Sequence, residues 1–128
     1  MRNRLVPRSE WFRFFDAFSR RHQGWATTVS VLSPKLGSQV EARDMPLEGI
    51  VVSAGATGSI SLHLGSAPPR SNIEHEIEDP RQVWVELSEE GAEEALDVES
   101  QDGTKTVIHL RAARVRRERR LFGIPEKT

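Results

Sequence analysis

Between residues 9 and 22 the apolar positions recur at helical spacing. Trp11, Phe14, Phe15, Phe18 and His22 fall in one stripe on a wheel drawn at about 100° per residue, while Arg13, Asp16 and Arg20 point the other way and Phe12 lies on the margin. Pro7, Ser9 and Glu10 form the entry: the Ser9 hydroxyl is placed to accept a hydrogen bond from a free backbone N–H, and Glu10 suits the positive end of the helix dipole. Gly24 supplies a stop, because it tolerates the left-handed conformation that closes a helix. The pattern predicts one helix over residues 9–22.

From Trp25 the period changes to two. Trp25, Thr27, Val29 and Val31 share one strand face, opposite Ala26, Thr28, Ser30 and Leu32. Turn residues Pro34, Gly37 and Ser38 follow, then a short extended piece at 39–43 and a separate strand at 47–53. After the loop at 54–58 comes a strand at 59–64 with Ile60, Leu62 and Leu64 inward, and after the loop at 67–71 a strand at 73–78. Asp79-Pro80 turns the chain into a strand at 82–87, on which Trp84 shares a face with Gln82 and Glu86, opposite Val83, Val85 and Leu87. Residues 88–94 read as an acid-rich loop or a single helical turn.

The hairpin around Asp102-Gly103 is fixed by its buried face. A two-residue turn mixes polar and apolar residues on both faces. With Gly103 as a left-handed bulge, Leu96 and Val98 stand opposite Ile108 and Thr106 and one face becomes apolar, so the longer turn is predicted. Short strands with turns at regular spacing indicate a mainly β fold, α+β by count. The expected architecture is a small antiparallel β barrel or strongly bent sheet of about six to eight strands, with the N-terminal helix packed over it. Residues 1–8 read as an arm, 9–110 as one globular domain, and 111–128 as an arginine-rich strand extension or tail.

Composition narrows the chemistry. The chain has 128 residues and no Cys, so disulfides, thiolate metal sites and cysteine catalysis are excluded. The first residues lack the apolar core of a secretory signal, and no apolar run approaches the roughly 20 residues of a bilayer span, so a cytoplasmic protein without membrane contact is expected. Six of the eight aromatic residues lie between Trp11 and Trp25, in an element better suited to cover the protein's own core than to lie in a membrane interface.

The net charge of −1 conceals segregation. Residues 74–102 hold twelve of the nineteen acids and one base, Arg81, while arginines crowd both ends. The bland reading is that basic ends and acidic middle meet within the chain or across an oligomer; the sharper one is a polyanion-binding patch.

His22, His63, His75 and His109 show no zinc-site spacing, and His75 shares a strand face with Ile73 and Ile77 as a structural histidine would. Glu74, Glu76 and Glu78 alternate along a solvated strand face, Gly55 and Gly58 join two strands and do not open a helix, and no serine stands in a nucleophile elbow. No catalytic, cofactor or metal residue is assigned and no cofactor is expected. The candidate partner surface is Trp84 together with Arg114, Arg116, Arg117, Arg119 and Arg120.

The motifs Pro7-Arg8-x-x-Trp11, Phe18-Ser19-Arg20-x-His22-x-Gly24-Trp25, Gly37-x-Gln39-x-Glu41-Ala42, Leu47-x-Gly49-Ile50 and His75-x-Ile77-x-x-Pro80 occur in this order before the Asp102-Gly103 hairpin. In this the chain resembles a small bacterial family catalogued as a domain of unknown function. The resemblance covers residues 7 to about 110, implies a compact bacterial domain, and implies no site residues. The expected function is a non-enzymatic module that binds a protein partner or itself. The alternatives are a nucleic-acid-binding small barrel using the terminal arginines, and a small-ligand-binding barrel with an unfilled apolar cavity.

Overall fold

A computed structural model describes residues 2–53, 58–65 and 72–112. Strand β1 (Arg2–Val6) leads through a 3₁₀ turn (Arg8–Glu10) into helix α1 (Trp11–Arg21). Seven strands follow: β2 (Ala26–Ser33), β3 (Gly37–Val52), β4 (Ile60–Leu64), β5 (Ile73–Ile77), β6 (Pro80–Leu87), β7 (Glu93–Ser100) and β8 (Lys105–Arg111). They form one antiparallel sheet in the order β1-β6-β7-β8-β2-β3-β4-β5. The sheet is not closed, with β1 and β5 at its edges, so of the two expected forms, barrel or bent sheet, the barrel does not form, while the mainly β composition, the eight strands and the N-terminal helix are as expected. No helix among the described residues is long and apolar enough to cross a membrane.

Strand β3 carries the bend. Its first half pairs with β2 and its second half with β4. The sequence signals a break between residues 43 and 47, yet the chain runs on as one strand of sixteen residues. Irregular pairing absorbs the break. Asp44 adopts φ 53°, a conformation Asp tolerates better than most residues. Its N–H donates to Thr28 Oγ1 at 3.1 Å, and its carboxylate accepts from Arg111 at 2.6 Å. Pro46, which has no N–H to give, stands where β3 changes partners; there Leu47 N–H donates to the Trp25 carbonyl and Gly65 N–H to the Pro46 carbonyl, both at 2.9 Å.

The helix is shorter than its hydrophobic stripe suggested and is not capped by Ser9. Glu10 occupies the N-cap position without a side-chain bond, because the 3₁₀ turn, closed by Glu10 N–H to the Pro7 carbonyl at 2.9 Å, delivers the chain into α1 instead. At the other end Gly24 takes φ 81° and its N–H donates to the Leu47 carbonyl at 2.9 Å, which turns the chain directly into β2. The stripe itself is as expected. Trp11, Phe15, Phe18 and His22 are buried, Phe14 is half-buried, and Phe12 is 71% exposed.

The core is continuous from α1 through the inward faces of the strands. Phe15 and Phe18 meet Val29, Leu47, Ile50, Leu62, Val83, Val85, Leu96 and Ile108, among others, in one cluster. Three polar ties hold the helix to different strands. Trp11 Nε1–H donates to the Val6 carbonyl of β1 at 3.0 Å, Ser19 Oγ accepts from Ile50 N–H of β3 at 2.9 Å, and Arg21 grips Glu93 of β7 in a bidentate pair at 2.8 and 2.9 Å. His22 is buried under the same corner, with Nδ1 2.8 Å from the Phe18 carbonyl and its ring stacked 4.1 Å from Phe18, as a structural histidine.

Two short segments differ from expectation. Residues 2–6, within the stretch read as an arm, form an edge strand paired with β6, a short run whose exposed positions outnumber its single buried one, Val6. The loop after β6 ends at residue 92, since Glu93 and Glu94 already belong to β7; Ser88 Oγ accepts from Ala92 N–H at 3.1 Å and closes it. The β7–β8 hairpin has the predicted register. Leu96 faces Ile108, Val98 faces Thr106, and Gly103 sits at φ 91° with its N–H donating to the Ser100 carbonyl at 3.0 Å.

The two extremes of the helix separate packing from exposure. Phe18→Ala is expected to destabilise the protein by about 3–4 kcal/mol in urea unfolding, whereas Phe12→Ala changes it by about 0.5 kcal/mol or less. Gly103→Ala is expected to cost about 1–2 kcal/mol, because the left-handed backbone disfavours a Cβ that also meets the Pro34 ring at 3.1 Å.

Candidate interaction surface

Antiparallel register sets the faces of the larger half of the sheet. Since Val83, Val85, Leu96, Val98 and Ile108 point into the core, their neighbours in sequence point away from the helix. Across this outer face the pairings Leu5–Trp84, Trp84–Asp97, Asp97–Val107, Val107–Ser30 and Ser30–Val40 form one transverse row. Helix α1 packs with the opposite face, so Trp84 is not under it. The ring is half-buried among its own strand neighbours and stays out of the core cluster. Leu5 is 42% and Val40 48% exposed at the two ends of the row.

Asp97 is the exception on this face. It is only 7% exposed, flanked laterally by Trp84 and Val107 and along β7 by Ala95 and Glu99. Burial, a hydrogen bond shared with the Glu86 carboxyl, and repulsion from Glu86 and Glu99 push its pKa up to about 7, against a smaller pull from Lys105. Beside this carboxyl a cleft of about 190 Å³ is lined by Asn3, Gln82, Trp84, Asp97, Glu99 and Lys105. The sequence placed Trp84 on this face but missed Asp97. The only signal was an acid alternating with the apolar residues Leu96 and Val98, which reads as an ordinary solvated position.

The remaining candidates do not converge. His75 is half-buried on the inner face between Ile73 and Ile77, as expected, and Glu74 and Glu76 are exposed on the outer face of β5. His63 lies on β4 and His109 on β8, with β2 and β3 between them. Among the described residues no cluster of three or more His, Asp or Glu is arranged to hold a metal ion. A cleft of about 210 Å³ where β5 approaches the β7–β8 hairpin is lined largely by polar residues, including His75, Glu76, Asp102 and Thr104. Arg114, Arg116, Arg117, Arg119 and Arg120 lie outside the described residues.

The Asp97 carboxyl makes stability depend on pH. The folded chain keeps the proton up to about 7, whereas the unfolded chain releases it near about 4. Between those values the folded state binds more protons, so this group's contribution to stability falls as pH rises through the window and is flat above it. Asp97→Asn, which stays neutral, is expected to gain roughly 1–2 kcal/mol on the parent between pH 5 and pH 8, less than full linkage because the site lies one side chain below solvent. Parallel urea midpoints for the two proteins across that range would contradict the assignment.

The model of a family of unknown function, DUF5335, matches residues 2–119. An uncharacterized protein of Aquifex aeolicus (strain VF5) is 23% identical over 113 residues, covering 88% of this chain and 96% of that one. No solved structure matches. The family match runs past the span of the sequence motifs at both ends, taking in β1 and reaching Arg119. A match over nearly the whole chain, through every strand of the sheet, makes this protein a member of the DUF5335 family.

Proposed function

We propose that the protein is a non-enzymatic cytosolic interaction module whose working surface is the outer face of the sheet around Trp84. The observation that carries this reading is the transverse row itself. A large aromatic ring, an exposed Leu5 and a nearly buried carboxyl share a face that α1 leaves uncovered. Half-exposed Trp beside apolar neighbours is the composition of binding hot spots, where ring burial by a partner supplies much of the affinity. Glu86, Asp97 and Glu99 on the same face disfavour a phosphate backbone, which weighs against nucleic acid at this surface.

The test is association measured on defined variants. Sedimentation of the full chain over a range of concentrations and salt reports self-association, and crosslinking in bacterial extract reports partners. Trp84→Ala is expected to keep the parent circular dichroism spectrum and lose at least about tenfold in affinity for whatever the parent retains. Val51→Ser, on the outer face of the smaller half of the sheet, is expected to leave association unchanged. A parent chain that is monomeric throughout and retains no partner would overturn the reading.

A further inference from the structure

The buried carboxyl beside Trp84 lacks the cation that such a group ordinarily has. Acids this deeply covered are usually matched by a base or by several N–H donors. Among the described residues no salt bridge reaches Asp97 within 4.0 Å, and the neighbouring Glu86 is another acid. Lys105 lines the same cleft without closing an ion pair. The cleft therefore offers carboxylate oxygens on its floor, an indole as a wall and the amides of Asn3 and Gln82 at its rim.

We propose that this cleft is a binding site for a guanidinium group, an arginine side chain presented by a partner polypeptide, seated between the Asp97 carboxyl and Trp84. Three properties select guanidinium over other cations. It is planar and stacks on an indole, its parallel N–H groups match a carboxylate in a fork, and it is weakly hydrated, so its transfer into a cleft with one apolar wall costs less than that of an ammonium. A metal ion is disfavoured by the same donors, since the described carboxylates do not assemble into a set of three or more. Arrival of the cation displaces the proton that burial keeps on Asp97, which gives the proposal a signature that plain surface attraction lacks. Glu99 and Lys105 are the other charged groups facing Asp97; Glu99 favours the incoming cation and Lys105 opposes it.

The inference rests on the outer face being an interaction surface, and the experiment keeps the two apart. A short arginine peptide, its lysine counterpart and its citrulline counterpart are titrated into the full chain by calorimetry at pH 6, in two buffers of different ionisation enthalpy. The arginine peptide is expected to bind at least about fivefold more tightly than the lysine peptide, with citrulline silent and with net release of a fraction of a proton per site. Asp97→Asn is expected to abolish the proton release and weaken binding at least about tenfold, and Trp84→Ala to remove the preference for arginine over lysine. Equal binding of the arginine and lysine peptides, or proton release unchanged in Asp97→Asn, would overturn the proposal. If Trp84→Ala disrupts association while no peptide binds, the guanidinium assignment falls and the interaction surface stands.

Discussion

Burial of Trp11, Phe15 and Phe18 against the inward faces of the strands is the interaction on which the rest of the architecture depends. The sheet is not closed, so its apolar face must be covered or it would present a wide apolar surface to water. The helix covers it and contributes the largest side chains of the core. Its three polar ties run to β1, β3 and β7, strands far apart in the sheet order, so one short element fixes the relative positions of both halves. The aromatic concentration near the N-terminus is thus a packing device.

Covering one face leaves the other to water, and the larger half of the sheet is not uniformly polar there. Trp84 and Leu5 add apolar surface, and Asp97 adds a carboxyl that the residues beside it leave only 7% exposed. These features are unnecessary for a face that only needs solubility, where alternating charged residues would suffice. Together they set this face apart from the outer face of the smaller half of the sheet. The charge segregation takes on a spatial meaning here: part of the acidic middle, Asp97 and Glu99, lines one cleft with Glu86 nearby, while Glu93 is used internally to hold Arg21.

Periodicity made most of the strands legible, because in-out alternation is imposed by the backbone and recorded residue by residue. It gave the faces of β2, β4 and β6, the inward stripe of α1, and the β7–β8 register, where only one alignment yields an apolar face. It failed where local signals compete with long-range pairing. Asp44, Met45 and Pro46 carry turn chemistry, yet the strand continues through them because β2 on one side and β4 on the other take up its hydrogen bonds. Ser9 has cap chemistry, but the 3₁₀ turn places Glu10 at the cap.

The sequence by itself determined the secondary structure of most segments, the lid-forming helix, and the strand face that Trp84 shares with Gln82 and Glu86, since each follows from the spacing of apolar residues along one stretch of chain. Only the tertiary structure decided that the sheet stays open, that residues 2–6 join it at an edge, and that Asp97 is buried beside Glu86. Closure, edge pairing and the shielding of a surface carboxyl all depend on which strands become neighbours. Neighbours distant in sequence leave no periodic trace in either segment alone. The candidate site lies in that second category: Trp84 announced its face, and the carboxyl that gives the face its chemistry became visible only when β6, β7 and β8 were laid side by side.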